Sequence, residues 1–259
     1  MEKYFIKKLK ELKKLGVSSV KHSTEDEGAS FNDITLMRKI TSQAGIKLNI
    51  KIGGCEAKND IFFCKRIKVN SIIAPMVESD YALKKFIQCV PKKNKKILLY
   101  VNIETQLAVR NLKKILSLKE FNNISGIVIG RSDVAGSIGQ NKEYVNSKEV
   151  FKICKKSFNL IKKKCRRKIV FKMGGGITSL SKKFVKDLYE MKLLNYIETR
   201  NIEIKLSKKV IQNFDTILHK AFAFEKEILK NRISFLHKVD QDLCKDYQKR
   251  ILEIDKRIN

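Results

Sequence analysis

Short runs of apolar, often β-branched residues recur along the chain, each followed by a stretch whose apolar positions return every three or four residues. The runs are GVSSVKH (16–22), IKLNIKIGG (46–54), SIIAPMV (71–77), KILLYVNIET (96–105), GIVIGR (126–131), KIVFKMGGG (168–176) and NYIETR (195–200). Between them lie amphipathic segments such as TLMRKITSQAG, ALKKFIQCV, AVRNLKKILSL and KEVFKICKKSFNLIKKK. Strands that alternate with helices predict βαβ units and a parallel sheet. Runs that stay apolar at successive positions predict strands buried on both faces, as such a sheet requires. Seven runs are one short of a closed barrel. The predicted fold is therefore α/β, a (β/α)8 TIM-type barrel with a degenerate strand placed near residues 1–8 or in a segment without a clear pattern.

The tail has a different pattern. From Ile177 to Asn259 there is neither glycine nor proline, and Val210, Ile211, Phe214, Ile217 and Leu218, then Leu236, Val239 and Leu243, recur at helical spacing. The spacing predicts two long helices, or one with a bend. A barrel over residues 1–204 and a helical extension over 205–259 follow. These helices exceed what a barrel needs, so part of their apolar stripe is expected to meet a second copy and form a homo-oligomer. Packing on the parent barrel is the alternative, since a stripe alone does not choose.

Composition narrows the picture. A length of 259 residues, 43% of them hydrophobic, suits one large domain with a full core. No apolar run approaches the roughly 20 residues that span a bilayer, and the opening MEKYFIKKLKELKKLG lacks the apolar core of a signal peptide. The expected location is the cytoplasm. Six cysteines without a CxxC pair imply reduced thiols rather than a disulfide framework or zinc site, with Cys55 in its glycine turn the one to watch. The net charge of +29 is carried by lysines dispersed from Lys3 to Lys256. That dispersal predicts a solvated basic surface rather than a nucleic-acid face. Such a field still draws in small anions.

Ligand chemistry in α/β barrels gathers at the carboxyl ends of strands, and four runs end there in polar residues. The first leads into His22, Glu25, Asp26 and Glu27; the second ends at Lys51; the fourth ends in Asn102 and Glu104; the fifth ends in Gly130, Arg131, Ser132 and Asp133. Sequential parallel strands usually lie side by side, which brings Glu104 and Asp133 together. Such a pair either holds a hard divalent cation or splits into helix caps and lysine pairs. Gly130 and Gly136 allow the backbone to approach a ligand closely. MGGGITS (173–179) offers a second such turn, and a tight strand-to-helix connection explains it equally well. Glu198 and Arg200 end the last run, where they either bind the far end of a substrate or form an internal ion pair.

NIETQLAVRNL (102–112) followed by GIVIGRSDVAGSIG (126–139) resembles the HpcH/HpaI family of 2-oxo acid aldolases and citrate lyases. APMVES (74–79) resembles the family's PMV strand, and IKIGG (50–54) falls where its arginine-bearing strand would be. The resemblance spans roughly residues 16–200 and implies a metal-dependent carbon–carbon lyase acting on a 2-oxo acid or its aldol adduct through a pyruvate-like enolate. It implies Glu104 and Asp133 as ligands of Mg2+ or Mn2+, with Asn102 positioning the site and backbone amides around Ser132 and Asp133 holding the carboxylate of a small anionic 2-oxo acid, which Gly130 would let approach and Arg200, by its position, would meet at the far end. Lys51 or Arg131 would stabilise the enolate, and Glu25 or Glu27 would replace the family's histidine, since His22 is shifted from its place. A citrate lyase-like enzyme acting on a CoA thioester, or a non-catalytic barrel binding small carboxylates, are the alternatives.

Overall fold

The computed structural model describes residues 1–91, 97–236 and 241–258. Eight strands close into one barrel in chain order. They are β1 (Val17–Ser23), β2 (Lys47–Lys51), β3 (Ser71–Ala74), β4 (Leu98–Ile103), β5 (Gly126–Gly130), β6 (Val170–Gly174), β7 (Tyr196–Glu198) and β8 (Ile202–Lys205). All seven predicted runs form strands. The missing strand is not near residues 1–8, which lie in a helix over Glu2–Lys14 that buries Phe5, Leu9 and Leu12. It is β8.

β1 to β7 pair in parallel, whereas β8 runs antiparallel to both β7 and β1. Only residues 199–201 separate β7 from β8. So short a link can only reverse the chain, because a parallel return needs a crossover of a dozen or more residues. The consequence is positional: the turn, with Arg200 at its tip, stands at the end of the barrel where β1 to β7 finish. Side-chain caps start the helices at that same end. Ser30, Ser79, Thr105 and Ser147 each accept a hydrogen bond from an amide in the first turn of the helix they precede, an interaction worth about 1 kcal/mol.

The large apolar core lies between the outer faces of the strands and the helices. Among the described residues, Ile73, Tyr100 and Val128 form a separate apolar group inside the barrel, and an ionic cluster lies beside it. Lys172 on β6 is 1% exposed and sits 3.8 Å above the Tyr100 ring. It pairs with Glu203 of β8 and lies 3.8 Å from Glu198 of β7. Glu203 also accepts from Ser19 at 2.7 Å and from Asn49 at 3.3 Å. Burial opposes the charge on Lys172, but Glu203 and Glu198 outweigh it and raise the ammonium's pKa.

The tail forms two helices, Phe214–Leu236 and Gln241–Ile258. Val210, Ile211, Phe214, Ile217 and Leu218 are buried within this chain, and the Phe224 ring meets Phe5 edge-on at 5.5 Å. This part of the predicted stripe is covered by the parent barrel. Val239 and the side chains of Leu236 and Leu243 lie outside the described residues. No helix among the described residues is long and apolar enough to cross a membrane.

Removing one member of the interior cluster would leave buried charge uncompensated. Lys172→Met should destabilise the fold by about 3–5 kcal/mol, as breaking a buried pair does. The double variant Lys172→Met/Glu203→Gln should recover a large part of that loss, as read from urea unfolding.

Candidate active site

Side chains of a strand alternate between its two faces, and the barrel's registers align one inward set: Lys21, Asn49, Lys51, Asn102, Val128, Gly130, Lys172, Gly174 and Glu198. The last inward residue of each strand reaches the mouth, where a cavity of about 590 Å³ is lined by Lys21, Lys51, Asn102, Glu104, Gly130 and Asp133, among others.

Glu104 and Asp133 meet there. A Cβ added to Gly130 would lie 2.7 Å from Glu104 Oε2 and 3.4 Å from Asp133 Oδ2, so glycine leaves room for the Glu104 carboxylate while Asp133 stands at ordinary contact distance beside it. Met76 N–H donates to Glu104 Oε1 at 2.9 Å, and Asn102 Nδ2 donates to Oε2 at 2.8 Å. Met76 adopts a left-handed φ of 50°, a conformation unfavourable for a residue with a Cβ. It belongs to the PMV segment, and the strain aims its amide at the carboxylate. Asn102 Oδ1 is buried without a hydrogen-bond partner among the described residues.

Burial, the largest influence, raises the pKa of both carboxyls. Each also feels another carboxylate, Asp133 for Glu104 and Asp26 for Asp133, while Lys51 pulls both the other way. No cluster of three or more His, Cys, Asp or Glu able to hold a metal occurs among the described residues. A cation here would rest on two carboxylates, leaving room for substrate oxygens and water, an arrangement that suits Mg2+.

Several other predicted residues line the same mouth. Lys51 lies 3.7 Å and Arg200 3.6 Å from Asp26 Oδ2. Ser132 lines the cavity beside Gly175, which packs so closely that a Cβ there would come within 2.4 Å of the Ser132 amide nitrogen. Glu25 is exposed at the rim, its carboxyl lying against Gly53. Gly136 has open space where a Cβ would be, so no close approach explains it.

Two predicted catalytic residues lie elsewhere. Arg131 is fully buried, and its guanidinium reaches Asn146 Oδ1 at 2.8 Å, Ser181 Oγ at 3.2 Å and the Val145 carbonyl at 3.3 Å, stacked over Phe184. Burial lowers its pKa to about 10. It opens the helix Arg131–Ser137 that follows β5, and its guanidinium ties that turn to the Val145–Asn146 segment and Ser181 rather than lining the cavity. Glu27 is likewise buried, accepting from Asn201 Nδ2 at 2.7 Å and lying 3.2 Å from His22 Nδ1. Burial alone would raise its pKa, but His22, Arg232 and Arg200 bring it to about 2. His22, outward on β1, is also in contact with Arg232 at 3.2 Å.

Sequence reasoning missed Lys21, whose ammonium holds Glu198 at 2.9 Å on the opposite wall. Strand alternation was the signal that could have found it, since Lys21 is inward where His22 is outward. It also missed Glu253 and Arg257 of the last helix, which reach the mouth. No local pattern marks those two, because their placement depends on how the helix pair folds back.

Residues 55–173 match the family model described as HpcH/HpaI aldolase/citrate lyase. No characterised protein matches the sequence at a significant level. Among solved structures, an HpcH/HpaI aldolase/citrate lyase family protein from Burkholderia cenocepacia J2315 is similar with a TM-score of 0.61 and 11% identity, over 75% of this chain and 82% of that one. An HpcH/HpaI aldolase from Desulfitobacterium hafniense DCB-2 gives 0.58 and 12%, over 69% and 75%. The citrate synthase SbnG gives 0.58 and 13%, over 79% and 83%.

Raised carboxyl pKa values give a stability contribution that is present at low pH and lost as pH rises through those values. Without divalent cation, Asp133→Asn should therefore show a higher urea midpoint than wild type at neutral pH. The two should converge under acid conditions where both carboxyls are protonated. Residues 55–173 of the chain thus match the HpcH/HpaI aldolase/citrate lyase family model, and the whole barrel shares its fold with solved structures of that description.

Proposed function

We propose that the barrel mouth is the active site of a divalent-metal-dependent carbon–carbon lyase acting on a 2-oxo acid or its aldol adduct. The observation that carries this reading is the carboxylate pair Glu104 and Asp133 gathered around the missing side chain of Gly130. Two acids whose ionisation is disfavoured by burial and by neighbouring carboxylates are a poor structural pair and a good cation site. Glu104 and Asp133 would hold Mg2+ or Mn2+, which when bound supplies Lewis-acid polarisation of a substrate carbonyl. The Met76 amide and Asn102 hold Glu104 in place from both of its oxygens. The Lys51 ammonium, close enough to influence both acids, offsets negative charge that develops on the substrate oxygen. Ser132 and Arg200 stand at the mouth to bind the substrate's anionic groups.

Exchange of the pyruvate methyl protons for deuterium, followed by NMR in D2O, tests the reading. Wild type should catalyse exchange only with Mg2+ or Mn2+ present, and Asp133→Ala should lose both exchange and metal-dependent pyruvate binding. Exchange that persists without metal, or in Asp133→Ala, would contradict it.

A further inference from the structure

The proposed chemistry needs a group that moves a proton, and the end of β1 with the loop after it holds four ionisable candidates. His22 and Glu27 are 1% and 2% exposed and bound to one another, to Asn201 and to Arg232. They are structural. Glu25 lies along Gly53 and also borders a separate groove outside the mouth formed with Glu56 and Asp60. Asp26 is the remaining one, and its position is distinctive.

The Asp26 side chain is 53% exposed within the cavity, with Oδ2 between Lys51 at 3.7 Å and Arg200 at 3.6 Å. Neither distance is a hydrogen bond, so the carboxylate is held by charge and is free to turn toward a ligand. The backbone beneath it is fixed. The Asp26 amide donates to Ser23 Oγ at 3.1 Å, and its carbonyl accepts from Arg250 at 2.9 Å. The next carbonyl, that of Glu27, accepts from the Tyr247 hydroxyl at 2.7 Å and from Arg232 at 3.3 Å. Tyr247 and Arg250 belong to the last helix and Arg232 to the one before it. Thus the C-terminal helix pair secures the loop while leaving one carboxylate loose above the site. Asp26 also stands close enough to Asp133 for its charge to register there.

We propose that Asp26 is the general base of this site and that the C-terminal helix pair is its positioning element. The assignment rests on the reading of the mouth as a 2-oxo acid site. With pyruvate bound, the Asp26 carboxylate takes a proton from the methyl carbon. The C–H electron pair becomes the new carbon–carbon double bond, and the carbonyl π pair moves onto oxygen to give the enolate. The proton on Asp26 exchanges with solvent and returns to carbon, and nothing is oxidised or reduced.

Methyl exchange and pyruvate binding are measured side by side for wild type, Asp26→Asn and Asp26→Glu with Mn2+. Because this side chain is exposed and its backbone contacts remain, the variants keep the fold. Asp26→Asn should slow exchange by about 100-fold or more while changing the pyruvate Kd by less than about threefold, the range a lost general base produces. Asp26→Glu should recover a measurable part of the exchange. Tyr247→Phe should slow exchange without altering pyruvate Kd, which a purely structural contact would not do. Exchange in Asp26→Asn within tenfold of wild type overturns the assignment. Wild type that binds pyruvate with metal yet shows no exchange also overturns it, while leaving the binding site standing. Wild type with neither binding nor exchange removes the reading of the site itself.

Discussion

Two acidic side chains, one just after β4 and one in the first turn of the helix after β5, meet beside a glycine where a side chain would crowd one of them. Glu104 and Asp133 approach from either side of Gly130, and an alanine there would strike Glu104 Oε2 at 2.7 Å. Bringing carboxylates out of water and toward one another is unfavourable, and much of the surrounding architecture manages that cost. Asn102 and a strained Met76 each donate to Glu104. Lys51 opposes the upward pull on both acids without cancelling it. The protein alone leaves both carboxyl pKa values raised, and the proposed cation site rests on that pair.

The rest of the barrel makes this arrangement rigid. Its interior is not the usual stack of aliphatic layers; it is an ionic cluster from Lys172 and Glu203 up to Glu198 and Lys21. That cluster depends on β8 folding back antiparallel, which places Glu203 opposite Ser19 and Glu198. The same reversal brings Arg200 to the mouth. The final helices then close over the β1 loop, so the chain's last residues fix the geometry of a loop more than two hundred positions earlier.

Much of this was legible in the sequence, for physical reasons. The seven parallel strands declare themselves because burial on both faces demands continuous apolar runs. Glu104 and Asp133 stand out because acids that end such runs have few structural explanations. β8 was hidden: Ile202–Lys205 is four residues long, has charges at alternate positions and lacks a helix before it. Arg131 and Glu27 were misplaced because nearness to a strand end was read as facing the mouth, although Arg131 already belongs to the helix after β5 and Glu27 to the loop after β1, and both turn into buried contacts. Lys21, Lys51, Asn102, Gly130 and Glu198 share the inward face, and that alternation is written in the sequence. The roles of Tyr247, Arg250 and Arg257 depend on tertiary contacts that no local pattern encodes.

Calorimetric titration of the purified protein with Mn2+ reads directly whether Glu104 and Asp133 together make one divalent-cation site, as proposed. One saturable Mn2+ per chain is expected in wild type, and its loss in both Glu104→Gln and Gly130→Ala, the latter by displacing the Glu104 carboxylate without removing it. Unchanged stoichiometry and affinity in those two variants would show that the cation, if bound, is held elsewhere, and would contradict the account.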